Sequence, residues 1–366
     1  MAYTSIDKSD EYFNTLLWSG DGTSSRSLTG VNFQPDLVWI KRRDNPASHV
    51  LFDAVRTAGS TKGIATNTTA QEGLTATEGT TANYGYVNSF DSDGFTVNAG
   101  ALSSAYVNQS TDPVEKYVSW NWLANGAGSS NTDGDITSTV SVNTTSGFSI
   151  TTYTATGTAG DTVGTGMSSG IDLYFIKRRD VAESIPVMTS LPNMGAGKYL
   201  YFNVTNDVAG PSSAFDNQVA PTSSGVITLG TLSTVNASGG TYVCYAFKSI
   251  KGFSKIGSYV GNGSTDGTFV YTGFKPAFVL IKCSSASATD WQLIDSTRST
   301  FNVCNLRLQP NSSDPEAGSD TIDICSNGFK QRNTFGNFNT SGATYIYMAF
   351  AENPLVSSTG VPCTAR

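Results

Sequence analysis

Two stretches of this 366-residue chain carry charged side chains at a spacing that could do chemistry: Asp53-Ala54-Val55-Arg56 and Asp295-Ser296-Thr297-Arg298. A carboxylate three residues before a guanidinium can close a local turn with a charge-assisted hydrogen bond. Both pairs are therefore read as structural ion pairs rather than as ligand-binding arginines. The only histidine, His49, precedes the strand-like run Val50-Leu51-Phe52-Asp53. One histidine leaves at most one place for a Ser-His-Asp or Cys-His relay and none for a multi-histidine metal centre, so His49 is read as a structural or surface residue. Asp91-Ser92-Asp93-Gly94 and Asp133-Gly134-Asp135 resemble pieces of calcium loops. They lack the closing bidentate glutamate and read as turns.

Five cysteines (Cys244, Cys283, Cys304, Cys325 and Cys363) show no CxxC or Cys/His spacing, which argues against a cysteine metal site. Twenty-nine acidic residues could supply a glycosidase pair, since that chemistry needs only two carboxylates across a cleft. None stands in an aromatic-rich motif. All five tryptophans fall in predicted strands, where packing is the default use of an indole. Trp18 and Trp291, nearest to strand ends, are the candidates for surface contact, for instance with a sugar. No catalytic, cofactor-binding or metal-ligating residue is assigned, and no cofactor is expected.

The elements that must position these residues form a repeat. Leu37-Val38-Trp39-Ile40-Lys41-Arg42-Arg43-Asp44 returns as Leu173-Tyr174-Phe175-Ile176-Lys177-Arg178-Arg179-Asp180, and more loosely as Phe278-Val279-Leu280-Ile281-Lys282. Each of these Ile-Lys strands follows an opening strand starting near Phe13, Phe148 and Phe253. Each precedes a turn and strand at Gly94, Gly225 and Gly328, then a closing strand: Tyr117–Trp122, Tyr242–Phe247 and Tyr345–Phe350. Four markers in one order establish a module used three times, and duplicated modules of this kind build length and surface.

Short strand-like runs bounded by Gly, Asn, Asp, Ser and Pro, with almost no helical periodicity, predict an all-β protein. The expected architecture is three tandem β-sandwich, jelly-roll-like repeats. The boundaries are an N-terminal arm (1–11), repeat one (12–124), a flexible linker (125–146), repeat two (147–249), repeat three (250–353) and a C-terminal tail (354–366). The Gly/Ser/Asn-rich linker is expected to let repeats one and two separate, while the short connector 248–251 fixes repeats two and three together. The arms are expected to dock on other chains. Runs such as Leu37-Val38-Trp39-Ile40, apolar on both faces, are expected in central strands.

Charged residues are 14% of the chain and the net charge is −7, which disfavours a nucleic-acid partner. The triplets Lys41-Arg42-Arg43 and Lys177-Arg178-Arg179 read as solvated strand ends that discourage edge pairing. No apolar run is long enough for a membrane-spanning helix. Residues 1–8 lack a charged start followed by an apolar run, so the chain is expected to be made and first folded in a cytosol.

The residues Phe33-Gln34-Pro35-Asp36-Leu37-Val38-Trp39-Ile40-Lys41, His49–Arg56, Ser89–Val97 and Tyr117–Trp122, together with Gly257–Gly267 and Tyr345–Pro354 in copy three, resemble the tail-fibre-like structural repeat proteins of marine bacteriophages. The likeness runs over about residues 3–354. It implies a non-enzymatic virion protein on the particle exterior, in the tail fibre or host-adhesion apparatus, with capsid decoration as the alternative. Its partners would be other virion proteins and a host surface glycan or receptor, with a homotrimer favoured for a fibre. A carbohydrate-binding module array and a polysaccharide depolymerase are the further alternatives.

Overall fold

In a computed structural model, the chain is described at residues 3–75, 79–102, 106–110, 114–168, 170–191, 194, 197–210 and 225–362. It is built almost wholly from antiparallel strands. Each copy pairs an inner sheet with an outer one, the inner being the larger in copies one and two and both having four strands in copy three. In copy one the inner sheet runs opening strand (Phe13–Ser19), closing strand (Lys116–Trp122), Ile-Lys strand (Leu37–Arg42), flanking strand (Val50–Asp53), then Ile64–Ala65. Copy two repeats the order with Phe148–Thr154, Thr241–Phe247, Leu173–Arg178, Pro186–Thr189 and Leu200–Tyr201. Copy three does so with Ser254–Val260, Thr344–Pro354, Phe274–Cys283 and Gln292–Asp295. The outer sheets hold the strands that follow Gly94, Gly225 and Gly328.

The glycine of that marker has a steric cause. A Cβ on Gly94 would lie 2.0 Å from the Leu28 carbonyl oxygen, on Gly225 1.7 Å from that of Met167, and on Gly328 2.0 Å from that of Val270. Backbone approaches this close admit no side chain. The tyrosine that opens each closing strand also repeats its role. Tyr117, Tyr242 and Tyr345 stack on Trp18, Tyr153 and Tyr259 at 5.4, 5.0 and 4.9 Å between ring centroids.

The inner sheets explain the runs that are apolar on both faces. Val38 and Ile40 face the outer sheet of copy one, whereas Leu37 and Trp39 face a second core shared by all three copies. Tyr174 and Ile176 against Leu173 and Phe175, and Val279 and Ile281 against Phe278 and Leu280, divide in the same way. The strands are central within their sheets, as expected, and each sheet is covered on both sides, the condition under which alternation disappears. Trp122 reaches across the shared core to Phe148 and Phe247 of copy two and to Phe278 and Phe350 of copy three.

This core corrects the expected domain organisation. The three sandwiches share buried aromatic side chains and cannot separate without exposing them, at about 1.5–3 kcal/mol for each large apolar side chain. The linker is also ordered: Ser129–Asn131 and Ser138–Asn143 extend the inner sheet of copy two beyond its opening strand. Val140, Ser141 and Ser138 are buried there, and alternation of apolar and hydroxyl residues suits an edge strand better than a free tether. The N-terminal arm docks on its own chain. Ile6 lies in the shared core, Thr4 Oγ1 donates to the Lys251 carbonyl, and Tyr3 Oη donates to that of Gly273. Asp7 receives the backbone N–H and the hydroxyl of Ser358 from the C-terminal tail. The loop-like stretch 74–88 contains a helical turn, Thr81–Tyr84, whose Tyr84 is buried against Tyr106.

Candidate functional site

The residues with chemical potential converge where one copy meets the next. The Ile-Lys strand directs its lysine to the same side as the shared core. Lys41, Lys177 and Lys282 are all buried, and each donates to carbonyls of two copies. Lys177 Nζ donates to the Glu183 oxygen of its own copy and to the Thr69 oxygen of copy one. Lys282 donates to Thr289 and to Thr205 of copy two, and Lys41 to Ala47 and to Ser313 of copy three. The same loops are also joined through backbone: Glu183 N to Thr69 O, Thr289 N to Thr205 O and Ala47 N to Ser313 O. Copy one thus meets two as two meets three and as three meets one. The ring closes with approximately threefold geometry.

The Asp-x-x-Arg pairs lie in two of these three seams. Asp53 Oδ1 accepts the Arg56 backbone N–H at 2.8 Å and Oδ2 accepts Arg56 Nε at 2.6 Å, so the expected turn lock is present. Asp295 and Arg298 reproduce it at 2.8 and 2.5 Å. Each pair then continues across the seam. Arg56 meets Glu72, Glu72 meets Arg179 of copy two, and Tyr245 of copy two donates its hydroxyl to Asp53 at 2.6 Å. Arg298 meets Glu316, Glu316 meets Arg43 of copy one, and Trp120 Nε1 of copy one donates to Asp295 at 3.0 Å.

In the third seam all of these groups are replaced together. Strand register puts Thr189 where Asp53 and Asp295 stand, and Met348 where Tyr245 and Trp120 stand. Val208 replaces the glutamate and Ser284 the cross-seam arginine, while the backbone bond Val208 N to Ser284 O matches Glu72 N to Arg179 O and Glu316 N to Arg43 O. Removing one member alone would leave a buried charge without its partner, which costs several kcal/mol. Replacing the aspartate, the aromatic donor, the glutamate and the cross-seam arginine together leaves no such charge stranded.

The seam also sets protonation states. Burial opposes the charge on Arg56, but Asp53, Tyr245 and Glu72 outweigh it and hold the guanidinium above its ordinary pKa. Burial pushes the Tyr245 hydroxyl far above its usual value, so it remains a donor. Burial lowers Lys41 to about 7, and Lys177 and Lys282 to about 8. His49 is fully buried, stacked on Trp120 and edge-on to Trp39. Burial, then the charges of Lys41 and Arg298, keep it neutral.

Two readings from sequence are corrected here. Trp18 and Trp291 are not surface platforms. Trp18 is 8% exposed and occupies the stacking position that Tyr153 and Tyr259 fill in the other copies, while Trp291 is 1% exposed, stacked on Phe202 and donating to the Tyr201 carbonyl. The basic triplets are not solvated strand ends either, because Lys41 and Arg42 are buried and Arg43 is held by Glu316. An unpaired edge needs solvated charge, whereas Lys41, Arg43, Lys177 and Arg179 find carbonyls or carboxylates on a neighbouring copy, and Arg42 and Arg178 pair with Asp44 and Asp180 of their own. The turn reading of Asp93 holds, its carboxylate accepting the backbone N–H groups of Gly30 and Asn32.

Cys244, Cys283 and Cys325 are free thiols. Among the described residues no group of three or more His, Cys, Asp or Glu is placed to hold a metal, and no helix is long and apolar enough to cross a membrane. An apolar void of about 10 Å³ lies in the shared core beside Trp39, Trp122 and Trp291. A groove of about 270 Å³ opens between copies three and one, lined by Asp10, Phe13, Asn14 and Thr15 on one side and by Ala277, Ser296, Thr297, Ala351 and Glu352 on the other.

A family model described as a domain of unknown function (DUF7483) matches residues 8–354 and so runs through all three copies. The chain belongs to this family. The extent of the DUF7483 match agrees with the shared core, in that the folded unit is the closed ring and not the single sandwich. No curated protein and no solved structure matches the chain.

Proposed function

We propose that this chain is a non-enzymatic structural protein of a bacteriophage particle, on its exterior, in the tail-fibre or host-adhesion apparatus. One observation carries the reading: the aspartates, arginines, glutamates and lysines that could have served chemistry are engaged in holding three sandwiches to one another. Charge used in this way favours one rigid arrangement of copies. It leaves the outer sheets and their Ser/Thr/Asn-rich loops to meet other macromolecules. Host-surface contact suits such loops, because many weak polar contacts gain strength when a subunit is displayed in several copies. The phage assignment itself draws on the resemblance of the repeat markers, and the partners it implies are other virion proteins and a host glycan or receptor.

Immunogold labelling of purified particles with an antibody to this chain tests the reading. Label on the tail is the expected result. Particles without label, or release of reducing sugar from host envelope by the purified protein, would overturn it.

A further inference from the structure

The groove between copies three and one marks a difference among otherwise equivalent junctions. In copy two the outer edge of the opening strand Phe148–Thr154 is covered by Ser138–Asn143 of the same chain, with Ser141 opposite Ile150. In copy three the position equivalent to Ile150 is Ile256, whose N–H is taken by the Ser249 hydroxyl. In both cases the covering segment is the stretch that connects one copy to the next, and Asp36 or Asp172 anchors its start through backbone N–H groups of Ala124 and Gly126, or of Ser249.

At the junction of copies three and one no segment among the described residues takes the connector's place, and Ala277 stands where Asp36 and Asp172 do. Among the described residues no strand pairs with the outer edge of Phe13–Ser19. The equivalent outward N–H, that of Thr15, is bonded among the described residues to its neighbour's side chain, Asn14 Oδ1, at 2.9 Å. Thr15 Oγ1 is buried and has no hydrogen-bond partner among the described residues. The 270 Å³ groove lies along this edge.

We propose that this edge is a docking site for an extended strand of a partner polypeptide, rich in Ser, Thr and Val like the Ser138–Asn143 segment that fills the same position in copy two. Recognition is by strand addition: main-chain hydrogen bonds supply affinity, and alternate side chains enter the groove. Phe13 and Ala277 suit small β-branched side chains, and Ser296, Thr297 and Thr15 suit hydroxyls. An unpaired strand edge is a template that natural proteins normally cover or blunt, and among the described residues it is the Asn14 side chain that caps the Thr15 N–H.

The test is fluorescence anisotropy of a labelled peptide copying residues 136–144, titrated with the full-length protein. Saturable binding is expected. Thr15→Pro removes the outward N–H without touching the bonds to the closing strand, because proline is tolerated on edge strands, and should weaken binding about tenfold. Asn14→Ala frees the Thr15 N–H and should tighten binding several-fold. Peptides N-methylated at alternate amides should separate into one set that fails to bind and one that binds normally, which is the mark of pairing along a single edge and needs no protein variant to fold. Absence of saturable binding, equal affinity for the two methylated sets, or undiminished binding by a folded Thr15→Pro protein would each overturn the proposal.

Discussion

Replacing Tyr245 by phenylalanine deletes one oxygen and leaves the ring in the shared core. That oxygen donates to Asp53 Oδ2 at 2.6 Å and accepts from Arg56 Nη2 at 3.1 Å, in a site where Asp53 and the Arg56 side chain are fully buried. Hydrogen bonds to charged groups contribute about 1.5–3 kcal/mol each, and no water can reach this one to replace them. Allowing for the two sharing one hydroxyl, the loss should be about 2–4 kcal/mol. A chain of 366 residues unfolds with an entropy of roughly 0.8 kcal/mol/K, so the midpoint should fall by about 3–5 °C if the ring melts as one unit. Differential scanning calorimetry reads both the shift and the number of transitions. Asp53→Asn and the double variant complete a cycle, for which a coupling of about 1–3 kcal/mol is expected between residues in direct contact. Met348→Leu, at the equivalent position of the third seam, should cost less than about 1.5 kcal/mol. A Tyr245→Phe midpoint within half a degree of wild type, strictly additive effects, or separate transitions for the copies would refute the reasoning.

Two further outcomes follow from the same geometry. A fragment of residues 1–124 should fail to give a dispersed native β spectrum by NMR and should aggregate, because Trp39, Trp120 and Trp122 lose their cover from the other copies; a well-folded monomeric fragment would contradict the shared core. Stability should rise from pH 7 to about pH 9.5: burial lowers Lys41 to about 7 and Lys177 and Lys282 to about 8, from an ordinary value of 10.5. Between those values the unfolded chain holds protons that the folded chain has released, so the free energy of unfolding increases with pH. Urea midpoints at pH 7.0, 8.5 and 9.5 should climb, and Lys41→Met should flatten part of the climb even as it lowers stability overall by leaving the Ala47 and Ser313 carbonyls unpaired. A flat or falling wild-type profile would oppose this account.

Much of the fold was legible because backbone geometry imposes it locally. Gly94, Gly225 and Gly328 recur because a carbonyl sits against each, and Tyr117, Tyr242 and Tyr345 recur because each stacks on an aromatic partner in its own copy. The Asp-x-x-Arg lock was legible for the same reason, since its members are three residues apart. What could not be read was anything completed by another copy. Leu37-Val38-Trp39-Ile40 announced burial on two faces, but one face awaited residues more than a hundred positions away. The lysine at the end of every Ile-Lys strand was the strongest unused signal, a cation closing an apolar run in all three copies. Trp18 misled because its stacking partner in strand register, Tyr117, lies 99 positions on, and a tryptophan near a strand end looks the same on paper whether it caps a core or faces solvent. The linker misled because Gly, Ser and Asn are as suitable for an edge strand and its turns as for a tether.

The seam between the third and first copies joins residues far apart in sequence, Asp295 to Trp120 across 175 positions and Ser313 to Lys41 across 272. During synthesis the tryptophans of the first sheet emerge long before Phe278 and Phe350, which must cover them. The nascent chain therefore carries an adhesive aromatic surface until its last strand leaves the ribosome. Contacts that span so much sequence form late and slowly, and a waiting hydrophobic face invites wrong neighbours. Shielding that interval, by chaperones or by a translation rate matched to ring closure, should raise the share of chains that reach the closed ring.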